Sequence, residues 1–163
     1  MKTRIVLFLS VLCLVLGSGA QADKPTGAAL PGSGAPKLSQ ADLEKKFIAT
    51  LTKATLAGNW TMIQDGQLSS EKNDKYTINS VMKIGADAWL INARIQYGQK
   101  NIVAPIPVQV KWAGDTAVII VDKIPVPGSG VYSARVLIYE KTYAGTWSGG
   151  DHAGLLSGII TNE

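Results

Sequence analysis

Apolar and polar residues alternate along most of the chain beyond residue 58. The two-residue period is clearest in residues 76–84, 89–97, 106–112 and 132–138. In residues 89–97, for example, the sequence WLINARIQY puts an apolar or aromatic side chain at every second position. Successive side chains of a β-strand point to opposite faces, so this period predicts strands with one buried face.

Short turns separate these runs. Asp65-Gly66 is a strong two-residue hairpin signal, and Gly-containing turns follow at 85–87, 98–101 and 113–115. Nothing resembles the long helical crossovers that a parallel sheet requires. The sequence therefore predicts an all-β protein with one N-terminal helix, an antiparallel meander closed as a β-barrel of about eight strands. A β-sandwich is the alternative, and spacing alone does not separate the two.

Two prolines fall inside one of the predicted strands. Pro105 and Pro107 have no backbone N–H to donate to a neighbouring strand. We therefore expect them at a sheet edge, a bulge or a strand end.

One segment, residues 39–56, has a helical period instead. Leu43, Phe47 and Leu51 recur every four residues and mark one apolar face. Ser39 and Asp42 have the spacing of a capping box. We expect this helix to dock on the sheet or to plug one end of the barrel.

The N-terminus predicts export. Residues 1–22 combine basic residues, an apolar run at 5–16 and an A-x-A cleavage site, the three parts of a signal peptide. The Pro- and Gly-rich residues 23–38 then form a flexible linker, and residues 39–163 form a single domain. We expect a periplasmic or extracellular protein with no stable membrane anchor after cleavage.

Signal removal also changes the charge and the cysteine content. The whole chain has a net charge of +4, and the 141 residues after position 22 keep 14 basic and 12 acidic residues, a balance of +2. Cys13 is the only cysteine and lies in the signal, so the domain must rest on core burial alone. No block of like charge or basic aromatic motif suggests nucleic acid, and no cofactor is expected.

The candidate ligand-binding residues are aromatic or cationic: Trp60, Trp89, Trp112, Trp147, Arg94 and Arg135. The four tryptophans fall in four separate strand patterns, so they could ring a cavity. Core packing of the same side chains is the other interpretation, and the sequence favours it. Arg94 and Arg135 lie on the more polar face. They would bind an anionic group if that face lined the barrel, and would be ordinary surface charges if it faced solvent, which is the favoured interpretation.

Residues 143–158 (YAGTWSGGDHAGLLSG) contain the only histidine. Asp151 and His152 could act as an acid–base or metal pair, and Ser148 or Ser133 with Asp122 could complete a hydrolase triad. A metal site needs three or four ligands, however, and no nucleophile-elbow pattern is present. We therefore interpret the segment as a closing hairpin and expect neither catalysis nor a metal.

Two resemblances accompany this pattern. Gly58-Asn59-Trp60 and Gly145-Thr146-Trp147 are similar to the G-x-W and G-T-W motifs of calycin-type barrels, the lipocalins and avidins. That resemblance covers about residues 57–161 and implies an antiparallel barrel. The segments KWAGDT (111–116), SARVLIY (133–139) and residues 143–158 together resemble a group of uncharacterised exported bacterial proteins. This second resemblance implies no functional residues.

Two functions follow as hypotheses. The first is an exported, non-enzymatic barrel that binds a small hydrophobic or amphipathic ligand. The second is a structural or interaction module of the cell envelope with a filled core and no ligand. A cavity of several hundred Å³ would favour the first.

Overall fold

The computed structural model of the chain describes residues 38–126 and 130–162. The elements are α1 (Gln40–Leu51), β1 (Ala54–Gln64), β2 (Gln67–Leu68), β3 (Lys72–Lys83), β4 (Ala88–Tyr97), β5 (Lys100–Ala113), β6 (Thr116–Val126), β7 (Gly130–Tyr139), β8 (Thr142–Gly149) and β9 (His152–Asn162). The predicted signal peptide 1–22 and the predicted linker 23–38, apart from Leu38, lie outside the described residues.

The sheet closes on itself. From β3 to β9 each strand pairs antiparallel with the next along the chain, and β1 pairs with both β3 and β9. The β1–β9 ladder runs from Ala54↔Asn162 to Met62↔Gly154. The short β2 is an extra strand that pairs with β1 only, in the Asp65-Gly66 hairpin. The structure is an eight-stranded antiparallel barrel, which confirms the predicted fold and not the sandwich.

The alternating residues point inward as the period predicts in most strands, but not in the second half of the predicted 76–84 run. A bulge between Ile78 and Ser80 shifts the register of β3 there, so Val81 is buried whereas Met82 and Ile84 are 51% and 56% exposed. Ile91 is 5% exposed and lies on the inner face of β4, whereas Arg94 on the other face is exposed. The same phase holds in the neighbouring strands, whose buried inward side chains include Leu56, Ile78, Val108, Ile119, Ile138 and Leu156.

Helix α1 plugs one end of the barrel. Phe47 and Leu51 are buried in the same core cluster as the barrel interior. Ser39 and Asp42 form the predicted capping box, in which the Asp42 backbone N–H donates to the Ser39 hydroxyl at 3.2 Å. Lys83, at the end of β3, donates to Glu44 at 2.6 Å and holds the helix on the rim. That hydrogen bond lowers the pKa of the Glu44 carboxyl.

The helix is shorter than the predicted 39–56. It ends at Leu51, Thr52 is extended, and Lys53 has a left-handed φ of 58°. Residues 54–56 then begin β1, where Ala54 and Leu56 are buried in the barrel. Neither glycine nor proline marks this stop, so the sequence gives no local signal for it.

The strands β5 and β6 pair along only part of their length. Their ladder runs from Gln109↔Ile120 to Ala113↔Thr116, at the end that carries the helix. Residues 100–108 of β5 pair only with β4, and residues 121–126 of β6 pair only with β7. We call these two stretches the unpaired edges. Pro105 and Pro107 lie on one of them, which confirms the predicted edge position.

Candidate functional site: an apolar cavity in the barrel

The interior of the barrel is hollow on the side away from the helix. A cavity of about 400 Å³ lies there, lined mainly by aliphatic and aromatic side chains. Its deep wall is formed by core residues such as Ile78, Ile91 and Ile119. An apolar chamber of this kind offers burial to an apolar guest and little to a strongly hydrated one.

The cavity reaches the surface at the end opposite the helix. His152, whose side chain is 56% exposed, is part of its lining, together with Tyr97 and Tyr132. Residues from both unpaired edges also line it, among them Ala104 of β5 and Ile124 of β6. The cavity is therefore bounded on one side by the stretches of β5 and β6 that do not pair with each other.

Two of the four predicted tryptophans line this cavity. The rings of Trp60 and Trp147 meet edge to face, with centroids 5.6 Å apart. Trp147 donates from Nε1 to the Thr61 carbonyl at 3.2 Å, which fixes its ring against β1. The Trp60 Nε1 is buried and has no hydrogen-bond partner among the described residues. Lys72 lies over the Trp60 ring, 5.0 Å from its centroid.

The other two tryptophans belong to the plugged end. Trp89 is 1% exposed and packs edge to face on Phe47, with centroids 5.3 Å apart. Trp112 contacts the same ring from 6.1 Å. Neither residue lines the cavity. The structure thus divides the predicted aromatic set into a packing pair and a cavity pair.

The two predicted arginines lie outside the barrel. Arg94 is exposed on the outer face of β4. Arg135 is exposed as well, donates to the Val121 carbonyl at 2.8 Å and lies 4.0 Å from Asp122. They do not line the cavity, because each occupies the outward phase of its strand. The positions of both arginines therefore agree with their interpretation as surface charges.

A polar cluster inside the barrel was not predicted from the sequence. Asp74 is only 5% exposed and accepts two hydrogen bonds, from Tyr143 Oη to Oδ1 at 2.9 Å and from Tyr76 Oη to Oδ2 at 3.0 Å. The two phenol rings meet edge to face and both line the cavity. One signal in the sequence could have indicated the cluster. Asp74, Tyr76 and Ile78 occupy every second position along β3, so their side chains point to the same face.

Burial controls the protonation of this cluster. Desolvation raises the pKa of the Asp74 carboxyl, and the two phenol hydrogen bonds oppose that rise. Burial also raises the pKa of Tyr76 and of Tyr143, and the Asp74 charge adds to both shifts. Both phenols therefore keep their protons in neutral solution and can go on donating them to the carboxylate.

The His152 pair lies at the mouth of the cavity. His152 Nε2 is 3.2 Å from Asp151 Oδ1, and both side chains are largely exposed. Ser133 lines the cavity, but its hydroxyl accepts the Lys123 backbone N–H at 3.0 Å. Asp122 is near Arg135 instead. No hydrogen bond in the described ranges joins a serine to His152, so the geometry supplies no activated nucleophile.

The described residues include no group of three or more His, Cys, Asp or Glu side chains placed to hold a metal ion. Over the same residues, no helix has the length and apolar character needed to cross a membrane. No protein-family model, curated protein or solved structure matches the chain. The resemblance to calycins stays a prediction.

Proposed function

We propose that the protein binds a small apolar or amphipathic ligand in the barrel cavity, without catalysing a reaction on it. The cavity volume of about 400 Å³ carries this proposal. Ligand sites in proteins commonly measure about 300–1,000 Å³ and are lined mainly by apolar and aromatic side chains with a few polar groups. Each Å² of apolar ligand surface buried there contributes about 25 cal/mol.

The unpaired edges are the proposed route of entry. Because no backbone ladder joins residues 100–108 to residues 121–126, their separation breaks no ladder hydrogen bond of the sheet. Pro105 and Pro107 further protect this side against pairing with another strand. A ligand could therefore enter without opening the rest of the barrel.

The cavity also favours ligand binding over the alternative function, a structural or interaction module with a filled core. The interior of such a module would contain side chains only. The signal-like residues 1–22 add the proposal that binding takes place outside the cytoplasm, in the periplasm or beyond it.

The test is titration with N-phenyl-1-naphthylamine, a probe whose fluorescence rises in apolar surroundings. We expect saturable binding at one site per chain. Native mass spectrometry of gently purified protein then shows whether an apolar compound from the cell copurifies with it.

Two matched substitutions locate the site. Ala104→Trp adds an indole at a position that lines the cavity and should weaken probe binding at least about tenfold by filling it. Ala144→Trp adds the same group on the exposed outer face and should leave binding unchanged. Equal binding by both variants, or no binding by the wild type, would contradict the proposal.

A further inference from the structure

Asp74 and Tyr143 come from strands that are not neighbours. The register places Asp74 opposite Gly58, Gly58 opposite Gly158, and Gly158 opposite Tyr143. These four residues form one row across β3, β1, β9 and β8. The Tyr143 hydroxyl reaches the carboxylate only by crossing both intervening strands.

The two glycines in this row make the crossing possible. A Cβ atom at Gly58 would lie 2.7 Å from the Tyr143 hydroxyl oxygen, and one at Gly158 would lie 2.6 Å from Cε1 of the same ring. Real Cβ contacts are essentially never that short. The ring therefore lies directly over two bare stretches of backbone, and any larger residue would push it away from Asp74.

The hydrogen-bond directions fix what this cluster can offer a ligand. A tyrosine hydroxyl has one proton, and an ionised carboxylate only accepts. Both phenol protons point at Asp74, at 2.9 Å from Tyr143 and 3.0 Å from Tyr76. What remains on each phenol oxygen is acceptor capacity. Within a mainly apolar lining, the cluster is thus a polar spot with acceptors and no free donor of its own.

Both rings line the cavity, so this acceptor spot belongs to the chamber that the proposed ligand would occupy. A carboxylate or phosphate there would meet lone pairs and the negative charge of Asp74, and would lose its own hydration without replacement. A hydroxyl or an ammonium group would donate to a phenol oxygen, and an ammonium group would also be attracted by the carboxylate.

We infer that Asp74, Tyr76 and Tyr143 select ligands whose apolar chain ends in a hydrogen-bond donor, an alcohol or an amine, and reject those that end in an anion. This inference rests on the proposed binding function and adds the chemistry of the ligand head group. The cluster positions one end of the guest, while Trp60 and Trp147 contact its apolar part.

The test compares three compounds with the same ten-carbon chain, 1-decanol, decylamine and decanoate, as competitors of N-phenyl-1-naphthylamine at neutral pH. We expect the alcohol and the amine to displace the probe at concentrations about threefold to tenfold lower than decanoate, the range that one hydrogen bond gives. This ranking is measured on the wild-type protein, so it depends on no variant.

Single substitutions then assign the preference to the cluster. Tyr76→Phe and Tyr143→Phe each remove one acceptor oxygen and keep the ring, and each should reduce the preference for decanol over decanoate. Tyr132→Phe removes a phenol from another part of the lining and should keep the preference.

The outcomes separate this inference from the function on which it rests. If the probe binds but decanoate competes as well as decanol, the head-group inference is wrong and ligand binding stands. A preference that survives in both cluster variants also overturns the inference. If the probe does not bind at all, both proposals fail.

Discussion

The two ends of the barrel use the same kind of residue for different purposes. At the plugged end, the Phe47 ring packs edge to face against both Trp89 and Trp112, and the gap that Phe47 and Trp112 line measures only about 20 Å³. At the hollow end, Trp60 and Trp147 contact each other but surround open space. What differs is the presence of a helix that supplies side chains to the interior.

One sheet therefore encloses a solid core at one end and an open chamber at the other. The helix buries Phe47 and Leu51 and closes its end of the barrel. The buried contacts of the helix stabilise the folded barrel, so the hollow end needs fewer packed side chains. The chamber can then keep an unpaired stretch between β5 and β6.

The largest effect is expected from a truncation at the plugged end. Phe47→Ala removes a ring that is 3% exposed, and should lower the free energy of unfolding by about 3–5 kcal/mol through lost burial and the resulting cavity. Ile48→Ala, one residue further along the helix at 37% exposure, should cost about 0.5 kcal/mol. Urea titration measures both, and similar costs would show that the helix does not plug the barrel.

A smaller loss of stability is expected from filling the space under the Tyr143 ring. Gly58→Ala places a methyl group against the Ser157 carbonyl and the Tyr143 hydroxyl, and should cost about 1–3 kcal/mol by overpacking. At Gly85 the nearest atom to an added Cβ, the Ala88 Cβ, is 3.3 Å away, so Gly85→Ala should change stability little. If Gly58→Ala is equally neutral in thermal unfolding, the row across the four strands is not packed as described.

The two cavity tryptophans should differ by one hydrogen bond. Trp147→Phe removes the donor to the Thr61 carbonyl, whereas Trp60→Phe removes an N–H with no partner among the described residues. Both lose similar ring area, so Trp147→Phe should be the more destabilising by about 1 kcal/mol. Denaturant unfolding of the two variants side by side checks this. A larger loss from Trp60→Phe would contradict the assigned hydrogen bonding.

The smallest effect concerns the pH dependence of stability. The pKa of Asp74 is raised in the folded protein, so the folded state holds its proton more tightly than the unfolded chain. Its stabilising contribution is complete below the ordinary Asp pKa of about 3.9 and is lost as the pH rises through the higher folded value. Compared with Asp74→Asn, the wild type should therefore lose stability as the pH rises across that interval.

Urea titrations of both proteins over the acidic range provide this comparison, because all other carboxyl groups contribute equally to the two curves. A difference that is flat with pH, or that moves in favour of the wild type as the pH rises, would mean that burial does not dominate at Asp74.

The alternation of apolar residues was enough to predict an antiparallel sheet with one buried face, because the period recurs in most of the long strands. Closure into a barrel and not a sandwich depends on the β1–β9 pairing, which local pattern does not encode. The Asp65-Gly66 turn was predictable for a similar local reason, since both residues adopt the positive φ that such hairpins need. The prolines of β5 correctly predicted an edge.

Three features depended on contacts between distant residues and could not be predicted from local pattern. The end of the helix is decided by the burial of Ala54 and Leu56 in the barrel, which overrides their helical spacing. Trp89 and Trp112 pack in the core and do not line the cavity because both contact the Phe47 ring of the helix. The Asp74 cluster depends on a register that brings position 143 across two glycines to position 74.

The most direct test of the hollow end is a crystal structure of the protein under xenon pressure, because xenon enters apolar cavities without needing polar partners. We expect xenon between Ile91, Ile106 and Ile119 in the 400 Å³ chamber, and none between Phe47 and Trp89. An interior without xenon, in which Trp60 and Trp147 fill the space, would contradict this expectation.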